Sequence, residues 1–467
     1  MDKLYDVAII GGGPGGYVAA IRAAQLGLSA AIVEKDTLGG VCLNWGCIPS
    51  KSLIHHATEF RSLQYMEAFG VRVDRSGFDY AAVHAKSRLA AKTLANGVSG
   101  LLRKNKVDVF NATASIAAPG KINLSGGESI QRSLSAKNIL IATGSRPLAV
   151  PGFEPDEQDI LSSSGILALT KLPRTLVILG AGAIGCEFAY LMNAFGVRVT
   201  LIEMAEHILP AEDLEVARVL DTSLRQSGID IRTAARALSC KKTAEGQFIR
   251  LESDGKTSEI AAQKVLAAFG RTPNIAGLGL KEVGVELDGR GYVVTGDYGQ
   301  TSVAGIFAIG DVVSSPALAH VASREGEIAV EFIAGHRPVH KRIAEDLVPS
   351  AIYCEPQVAG FGLREDAARE KGIRFTKSVF PFRAVGKCVA VNKTEGLVKM
   401  LCDPDTGEIL GAHIVGSNAT ELIHELLMAR SSELLADDIV QMIHAHPTVA
   451  EAIMEAAKGI KGQPIHI

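Results

Sequence analysis

The 467-residue chain has no excess of charge of either sign: 48 basic residues stand against 51 acidic ones, a formal −3. Nothing in that balance draws the protein as a whole to nucleic acid or to an anionic membrane surface. It has no apolar run near the roughly 18 residues a membrane helix needs, so no membrane insertion is expected. The amino terminus, Met1 to Asp6, lacks the basic and then apolar blocks of a secretory signal, and it lacks transit-peptide composition. The expected location is the cytoplasm, or an organelle matrix where a transit segment has been removed. Cysteine is scarce too: seven scattered residues are too few for a disulfide scaffold and fit reduced thiols. With 47% hydrophobic and 21% charged residues, disorder and collagen-like architecture are excluded. A chain of this length is expected to divide into two to four domains.

Glycine is what the chain has in excess, with 48 residues or about 10% against a usual ~7%. The first cluster follows an apolar strand, Asp6-Val7-Ala8-Ile9-Ile10, and reads Gly11-Gly12-Gly13-Pro14-Gly15-Gly16 before an apolar helix ending near Gly27. A second strand, Ala30 to Val33, ends at Glu34. This is the pattern of a βαβ nucleotide-binding unit. Gly11 makes a tight turn, Gly13 admits phosphates to the backbone, and Gly16 lets helix and strand pack closely. A pyrophosphate then meets unpaired N–H groups at the helix N-terminus, and Glu34 can accept from a ribose 2′-hydroxyl.

The pattern is repeated 169 residues later: Gly180, Gly182, Gly185 and Glu203 stand at the spacings of Gly11, Gly13, Gly16 and Glu34. Two further segments match each other, Asn138 to Pro147 containing Gly144 and Lys264 to Pro273 containing Gly270, as the last strand and exit turn of each module. A lone glycine fingerprint can be a packing turn, whereas two copies with the carboxylate in register identify a duplicated domain. Glu203 would repel the 2′-phosphate of NADP, and Met204 to His207 supply no arginine to receive it, so NAD is favoured over NADP. An apolar strand, Gly305 to Ile309, ends in the carboxylate Asp311. From about Val348 the composition shifts to strands at Lys377–Pro381, Leu397–Leu401 and Ile409–Ile414, with helices at Thr420–Arg430 and from Pro447 onward. The expected architecture is α/β: two Rossmann-like modules, residues 1–148 and 149–270, a central segment 271–345, and an α+β domain 346–467.

Two cysteines lie close together in Gly39-Gly40-Val41-Cys42-Leu43-Asn44-Trp45-Gly46-Cys47-Ile48-Pro49-Ser50-Lys51. Zinc needs further Cys or His partners at short spacing and none follow, so no metal site is expected. A redox pair fits better, beside the first dinucleotide module. Pro49 suggests a helix start and Lys51 a nearby cation, both of which favour thiolate and can bring a cysteine from ~8.5 into the ~3.5–7.5 range. Near the carboxy terminus, His444-Ala445-His446-Pro447-Thr448-Val449-Ala450-Glu451 places Pro447 where it suits a first helical position.

The Cys42-to-Lys51 stretch, both glycine modules, the Asp311 segment and the His446 segment together resemble the FAD-dependent pyridine nucleotide–disulfide oxidoreductases over essentially the whole chain. The resemblance implies that the first module binds FAD and the second NAD. Asp311 would bond the flavin's ribityl chain, Ala319 would begin a flavin-contacting helix, and Ala114 and Gly144 would complete that site. Ile184 would join Gly180, Gly182, Gly185, Glu203 and Gly270 in the NAD site. Lys51 would lie by the isoalloxazine, paired with Glu187. His446, oriented by Glu451, would be the acid/base at the disulfide of the other subunit of a homodimer; imidazole suits that task, with a pKa of ~6.5. Cys42 would exchange with substrate and Cys47 would form the thiolate nearer the flavin.

His444 and His446 together resemble the branch of the family that oxidises protein-bound dihydrolipoyl groups and reduces NAD. The implied partners are the lipoyl-bearing domains of 2-oxo acid dehydrogenase or glycine cleavage complexes. The mercury-reducing branch carries a second cysteine pair near its end, absent from Gly462 to Ile467, and the glutathione-reducing branch uses NADP. A homologue without catalysis would not retain Cys42, Cys47, Lys51, His446 and Glu451 together. Trp45 and Gln357 depart from the family's pattern, and Trp45 would narrow access to the disulfide.

Overall fold

The computed structural model describes residues 3–126, 133–243 and 246–467. Two compact units divide the chain. One holds the residues up to Ser52 with Ala81–Leu148 and Gly270–Ala344; the other holds Leu53–Tyr80, Ala149–Phe269 and Glu345–Ile467.

The first unit is built on a seven-stranded sheet. Its order is Asp108–Asn111, Ala30–Glu34, Leu4–Ile10, Ser133–Ile141, Lys121–Ser125 and Thr113–Ala118, with Ile306–Ala308 also paired to Ser133–Ile141. The near-continuous apolar runs Val7–Ile10, Ala30–Val33 and Ile139–Ile141 are buried, as strands covered on both faces must be. The long strand Ser133–Ile141 does two jobs. Its start pairs antiparallel with Lys121–Asn123, and its end pairs parallel with Ile306–Ala308. The central segment is thereby stitched to the first module. Its helix Ala319–Ile333 packs on the glycine helix Pro14–Gln25, with no room for a side chain where they touch. A Cβ at Gly15 would lie 2.9 Å from Ala322 O, and one at Gly326 would lie 2.7 Å from Gly15 O.

The second unit holds a five-stranded sheet in the order Asp230–Arg232, Arg198–Ile202, Thr175–Leu179, Lys264–Ala267 and Ile160–Leu161, all parallel. An antiparallel three-stranded sheet, Ala235–Thr243, Gly246–Ser253 and Lys256–Ala262, is inserted before its last crossover. The carboxy-terminal part is a five-stranded antiparallel sheet, ordered Ser350–Ile352, Gln357–Gly362, Ile409–Gly416, Leu397–Cys402 and Thr376–Pro381. Helices Ala419–Ser431 and Glu451–Gly459 cover it through Ile423, Leu426, Ala452, Ile453 and Ala456, all fully buried. The mixed α/β class is therefore observed.

Lys399 is 1% exposed on its strand and pairs with Asp213, also 1% exposed, at 2.9 Å, and with Glu215 and Glu365 at 2.7 Å each. Asp213 caps the helix Leu214–Gln226 by accepting the Glu215 N–H. One buried ammonium so fastens the end of the nucleotide module's helix to the carboxy-terminal sheet within this unit. A buried charge is tolerated only with such partners.

The expected helix start at Pro447 is corrected. The last helix begins at Glu451, because the Glu451 carboxylate accepts the Thr448 N–H at 2.9 Å and Thr448 Oγ1 donates to Ala445 O at 2.7 Å, closing a turn ahead of it. Pro49 does not open its helix either. That helix, Cys47–Ala68, starts two residues earlier and holds Pro49 in its first turn, where a missing N–H costs nothing.

Candidate active site

Cys42 lies in the six-residue helix Gly40–Trp45 and Cys47 opens the helix Cys47–Ala68, with Gly46 between them. This pair of helix ends is fastened to the first glycine loop. Gly39 N–H donates to Gly12 O at 2.8 Å, and a Cβ on Gly40 would meet Gly13 Cα at 2.7 Å. Asn44 braces the turn by donating to Leu38 O and Gly40 O at 3.1 and 3.0 Å. Neither cysteine is in a disulfide, and both are partly exposed.

The expectation of a lowered thiol does not hold for Cys42. A hydrogen bond with Cys47, then burial, push its pKa up, against the opposing charge of Lys51. The hydrogen bond to the neighbouring sulfur favours the protonated form of Cys42. Trp45, three residues after Cys42 and so on the same helix face, is 36% exposed, and the guanidinium of Arg88 lies 4.6 Å from its ring centroid. Arg88 restrains the indole on the short helix that carries Cys42.

The two glycine loops are alike to the ångström. A Cβ at Gly16 would sit 1.9 Å from Gly11 O, and one at Gly185 would sit 1.9 Å from Gly180 O. Neither site admits any side chain. By contrast a Cβ at Gly13 or at Gly182 meets nothing within 4 Å. Packing does not require glycine there, and the open space lies ahead of the N-termini of the twelve-residue helices Pro14–Gln25 and Ala183–Ala194. Orphan N–H groups facing a clear space are what a dinucleotide's pyrophosphate needs, so both loops fit such a group.

The carboxylates at the second strands do more than sequence reasoning expected. Glu34 accepts the Gly12 N–H at 2.6 Å and Asp36 N–H at 2.8 Å; Glu203 accepts Ala181 N–H at 2.7 Å and Ala205 N–H at 2.9 Å. Each therefore shapes its own glycine loop. Ile184 lies in the first turn of the second module's helix, while Ala114 is 5% exposed with its side chain in the core.

The two matching exit turns pair with each other. Ser145–Pro147 forms a two-stranded antiparallel sheet with Arg271–Pro273, and Leu148 N–H donates to Gly270 O at 3.0 Å. This two-stranded ribbon delivers two side chains to Asp311: Ser145 Oγ donates to Asp311 Oδ2 at 2.5 Å, and Arg271 donates through Nε to Ser145 Oγ at 2.6 Å, with its charge 3.6 Å from Asp311. Ser145 and Arg271 were not singled out from the sequence, though the doubled exit turn carried the signal. Asp311 sits in a short turn, Gly310–Val312, whose Gly310 N–H is taken by Glu325 at 2.6 Å from the helix that Ala319 opens. Burial pushes the Glu325 carboxyl up.

In the second unit Glu187 is 7% exposed on the helix Ala183–Ala194 and accepts Tyr353 N–H at 3.1 Å. Lys51 is partly buried in the first unit. His446 is 74% exposed, and its Nδ1 lies 2.9 Å from Glu451 Oε1. Its Nε2 has no partner among the described residues. The Glu451 carboxyl is subject to burial, which would raise it, but bonds to His446 and Thr448 hold it below the usual range. Gln357 accepts Thr420 Oγ1 at 2.9 Å and Thr420 N–H at 3.3 Å, so it serves the start of the helix Ala419–Ser431. Among the described residues no group of three or more His, Cys, Asp or Glu could hold a metal ion, and no helix is long and apolar enough to cross a membrane.

Comparison with known proteins gives this arrangement its family. The family model described as pyridine nucleotide-disulphide oxidoreductase matches residues 5–326, and that of its dimerisation domain matches residues 348–457. A dihydrolipoyl dehydrogenase of Bacillus subtilis is 41% identical over 472 residues, covering 99% of both chains. The mitochondrial dihydrolipoyl dehydrogenase of Pisum sativum is 40% identical, covering 99% of this chain and 92% of its own. Among solved structures, LpdA of Mycobacterium tuberculosis aligns with a TM-score of 0.89 at 27% identity, over 97% of this chain and 98% of that one. The HOCl-induced flavoprotein disulfide reductase RclA of Escherichia coli aligns with a TM-score of 0.85 at 27% identity, over 97% and 99%. The chain belongs to the pyridine nucleotide–disulphide oxidoreductases.

Proposed function

We propose that this enzyme oxidises protein-bound dihydrolipoyl groups and passes the electrons to NAD, working as a homodimer with FAD and NAD as cofactors. The observation that carries the reading is the division of proton-handling groups. The Cys42 and Cys47 sulfurs are hydrogen-bonded to each other, and an exposed imidazole has one nitrogen fixed by a carboxylate and the other open. Full-length relatives carrying the dihydrolipoyl dehydrogenase name support the substrate.

In the oxidised enzyme Cys42 and Cys47 are joined. Nε2 of His446 of the partner subunit takes a proton from a substrate thiol, and the resulting thiolate attacks the Cys42 sulfur. A mixed disulfide forms and Cys47 leaves as a thiolate, with Lys51 supplying charge nearby. The second substrate thiol then attacks the substrate sulfur of the mixed disulfide. The cyclic disulfide closes, Cys42 leaves and takes up the proton of that second thiol, His446 retains the first proton, and two electrons remain on the cysteine pair. The raised pKa of Cys42 suits this product state. Glu451 holds the His446 tautomer so that Nε2 starts unprotonated.

Bound FAD supplies the two-electron relay from the cysteine pair to NAD. Asp311, oriented by Ser145 and Arg271, and the Gly11–Gly16 loop with Glu34 would hold the flavin nucleotide, together with Ala114, Gly144, Ala319 and Lys51. Gly180, Gly182, Ile184, Gly185, Glu203 and Gly270 would hold NAD, and Glu187 would be the carboxylate partner of Lys51. The lipoyl groups belong to 2-oxo acid dehydrogenase or glycine cleavage complexes, in the cytoplasm or an organelle matrix.

His446→Gln tests the assignment. Lipoamide turnover should fall by about 10²–10⁴-fold, the usual contribution of a general base, while flavin stays bound. Near-normal turnover would sink it.

A further inference from the structure

The two histidines of the His444-Ala445-His446 segment are in opposite situations. His446 is 74% exposed with one ring nitrogen open, whereas the His444 side chain is 2% exposed. Its Nε2 lies 2.9 Å from Glu425 Oε1 on the helix Ala419–Ser431, and its Nδ1 lies 3.2 Å from Met442 O. With both nitrogens engaged, His444 has no site for a thiol proton. It cannot act as a second base.

What it can do is hold the chain. His446 stands on the loop between the helices Ala436–Gln441 and Glu451–Gly459. Downstream, Glu451 ties His446 and the Thr448 N–H to its own helix. Upstream, Met442 is 47% and Ile443 95% exposed on the single chain, so within the chain the His444–Glu425 pair is the buried side-chain tie on that flank. The base is strung between two carboxylates on two helices of one sheet-covering layer.

We propose that Glu425, acting through His444, is a positioning residue for His446, a role that rests on the reading of His446 as the base. Neither Glu425 nor His444 touches substrate or cofactor in this account. They set where the imidazole stands, and a displacement of about 1 Å at a reacting group can cost about 10²-fold.

The test uses the flavin-loaded dimer and the variants Glu425→Ala, Glu425→Gln and His444→Ala, alone and in combination. NADH-driven reduction of lipoamide is measured beside NADH-driven reduction of ferricyanide, which takes electrons from reduced flavin without disulfide exchange. In Glu425→Ala the lipoamide kcat should fall about tenfold, with KM, bound flavin and the ferricyanide rate within about twofold of the parent. Glu425→Gln, which keeps an oxygen facing the ring, should lose less. The double variant should be no worse than either Ala variant, because the residues act as a pair. A lipoamide kcat within about twofold of the parent, or a ferricyanide rate that falls in step, would overturn the proposal. His446→Gln run alongside separates the readings. If it retains lipoamide turnover, the base assignment fails; if it loses turnover while Glu425→Ala does not, only the positioning role fails.

Discussion

Gly185→Ala should disable pyridine nucleotide binding while leaving the flavin in place. A Cβ at Gly185 would lie 1.9 Å from Gly180 O and 3.5 Å from Ile178 Cγ2, and real Cβ atoms essentially never come within 3.0 Å of another atom. The helix Ala183–Ala194 must therefore retreat from the glycine turn by about 1.1 Å, an overpacking that costs about 1–3 kcal/mol. A domain stable by about 5–15 kcal/mol survives that. The retreat carries away the first-turn N–H groups that meet the pyrophosphate. Hydrogen bonds to charged groups are worth about 1.5–3 kcal/mol, so losing one weakens NADH binding by roughly 10- to 100-fold. The measurement is the flavin absorbance of the purified variant together with its KM for NADH. Gly16→Ala, with the same 1.9 Å conflict in the other unit, is the mirror experiment and should lose flavin instead. The reasoning is refuted if Gly185→Ala loses flavin, or if its NADH KM is that of the parent.

Replacing Glu203 by Arg removes a carboxylate that faces away a 2′-phosphate, so the ratio of kcat/KM for NADPH over NADH should rise by about tenfold or more. Steady-state kinetics with both nucleotides would show an unchanged ratio if Glu203 does not set the preference. Acid sensitivity should reside in the buried cluster around Lys399. Burial would raise Glu365 from its ordinary 4.5, but bonds from Lys399, Arg369 and Lys377 outweigh it and hold it at about 2. A carboxylate lowered in the folded state stabilises fully above its unfolded value and loses that stabilisation as pH falls through the folded one. Melting temperature should thus decline between pH about 4.5 and about 2. Lys399→Met should flatten that decline and cost about 3–5 kcal/mol at neutral pH, since Asp213 is left as an unpaired buried charge. A melting temperature at pH 7 equal to the parent's would contradict it.

The features legible in the sequence are those whose chemistry imposes a local spacing. Gly11, Gly13, Gly16 and Glu34, and their counterparts from Gly180 to Glu203, lie within one βαβ unit each, so phosphate and ribose recognition writes itself into a short stretch. The Cys42-to-Lys51 segment is equally local. What the sequence hides are partnerships across many residues. The exit turns at Ser145 and Arg271 read as repeats, but only the fold shows that they pair with each other and reach Asp311. Arg88 over Trp45, Gly40 against Gly13 and Glu425 on His444 are of the same kind. The expectations that needed correction fail for the same reason. Lys51 and a helix start argue for a lowered thiol in the pair, but at Cys42 the neighbouring sulfur and burial, both three-dimensional facts, prevail. Pro447 suits a helix start, yet Glu451 spends its carboxylate on the preceding turn.

The central claim is that this Cys42–Cys47 pair, with FAD and NAD, serves dihydrolipoyl groups. The most direct test compares, on the flavin-loaded enzyme, reduction of lipoamide, oxidised glutathione and Hg²⁺ with NADH and again with NADPH. Rapid turnover of lipoamide with NADH, and little with the other acceptors or with NADPH, is the predicted result. Preference for glutathione, Hg²⁺ or NADPH would contradict it.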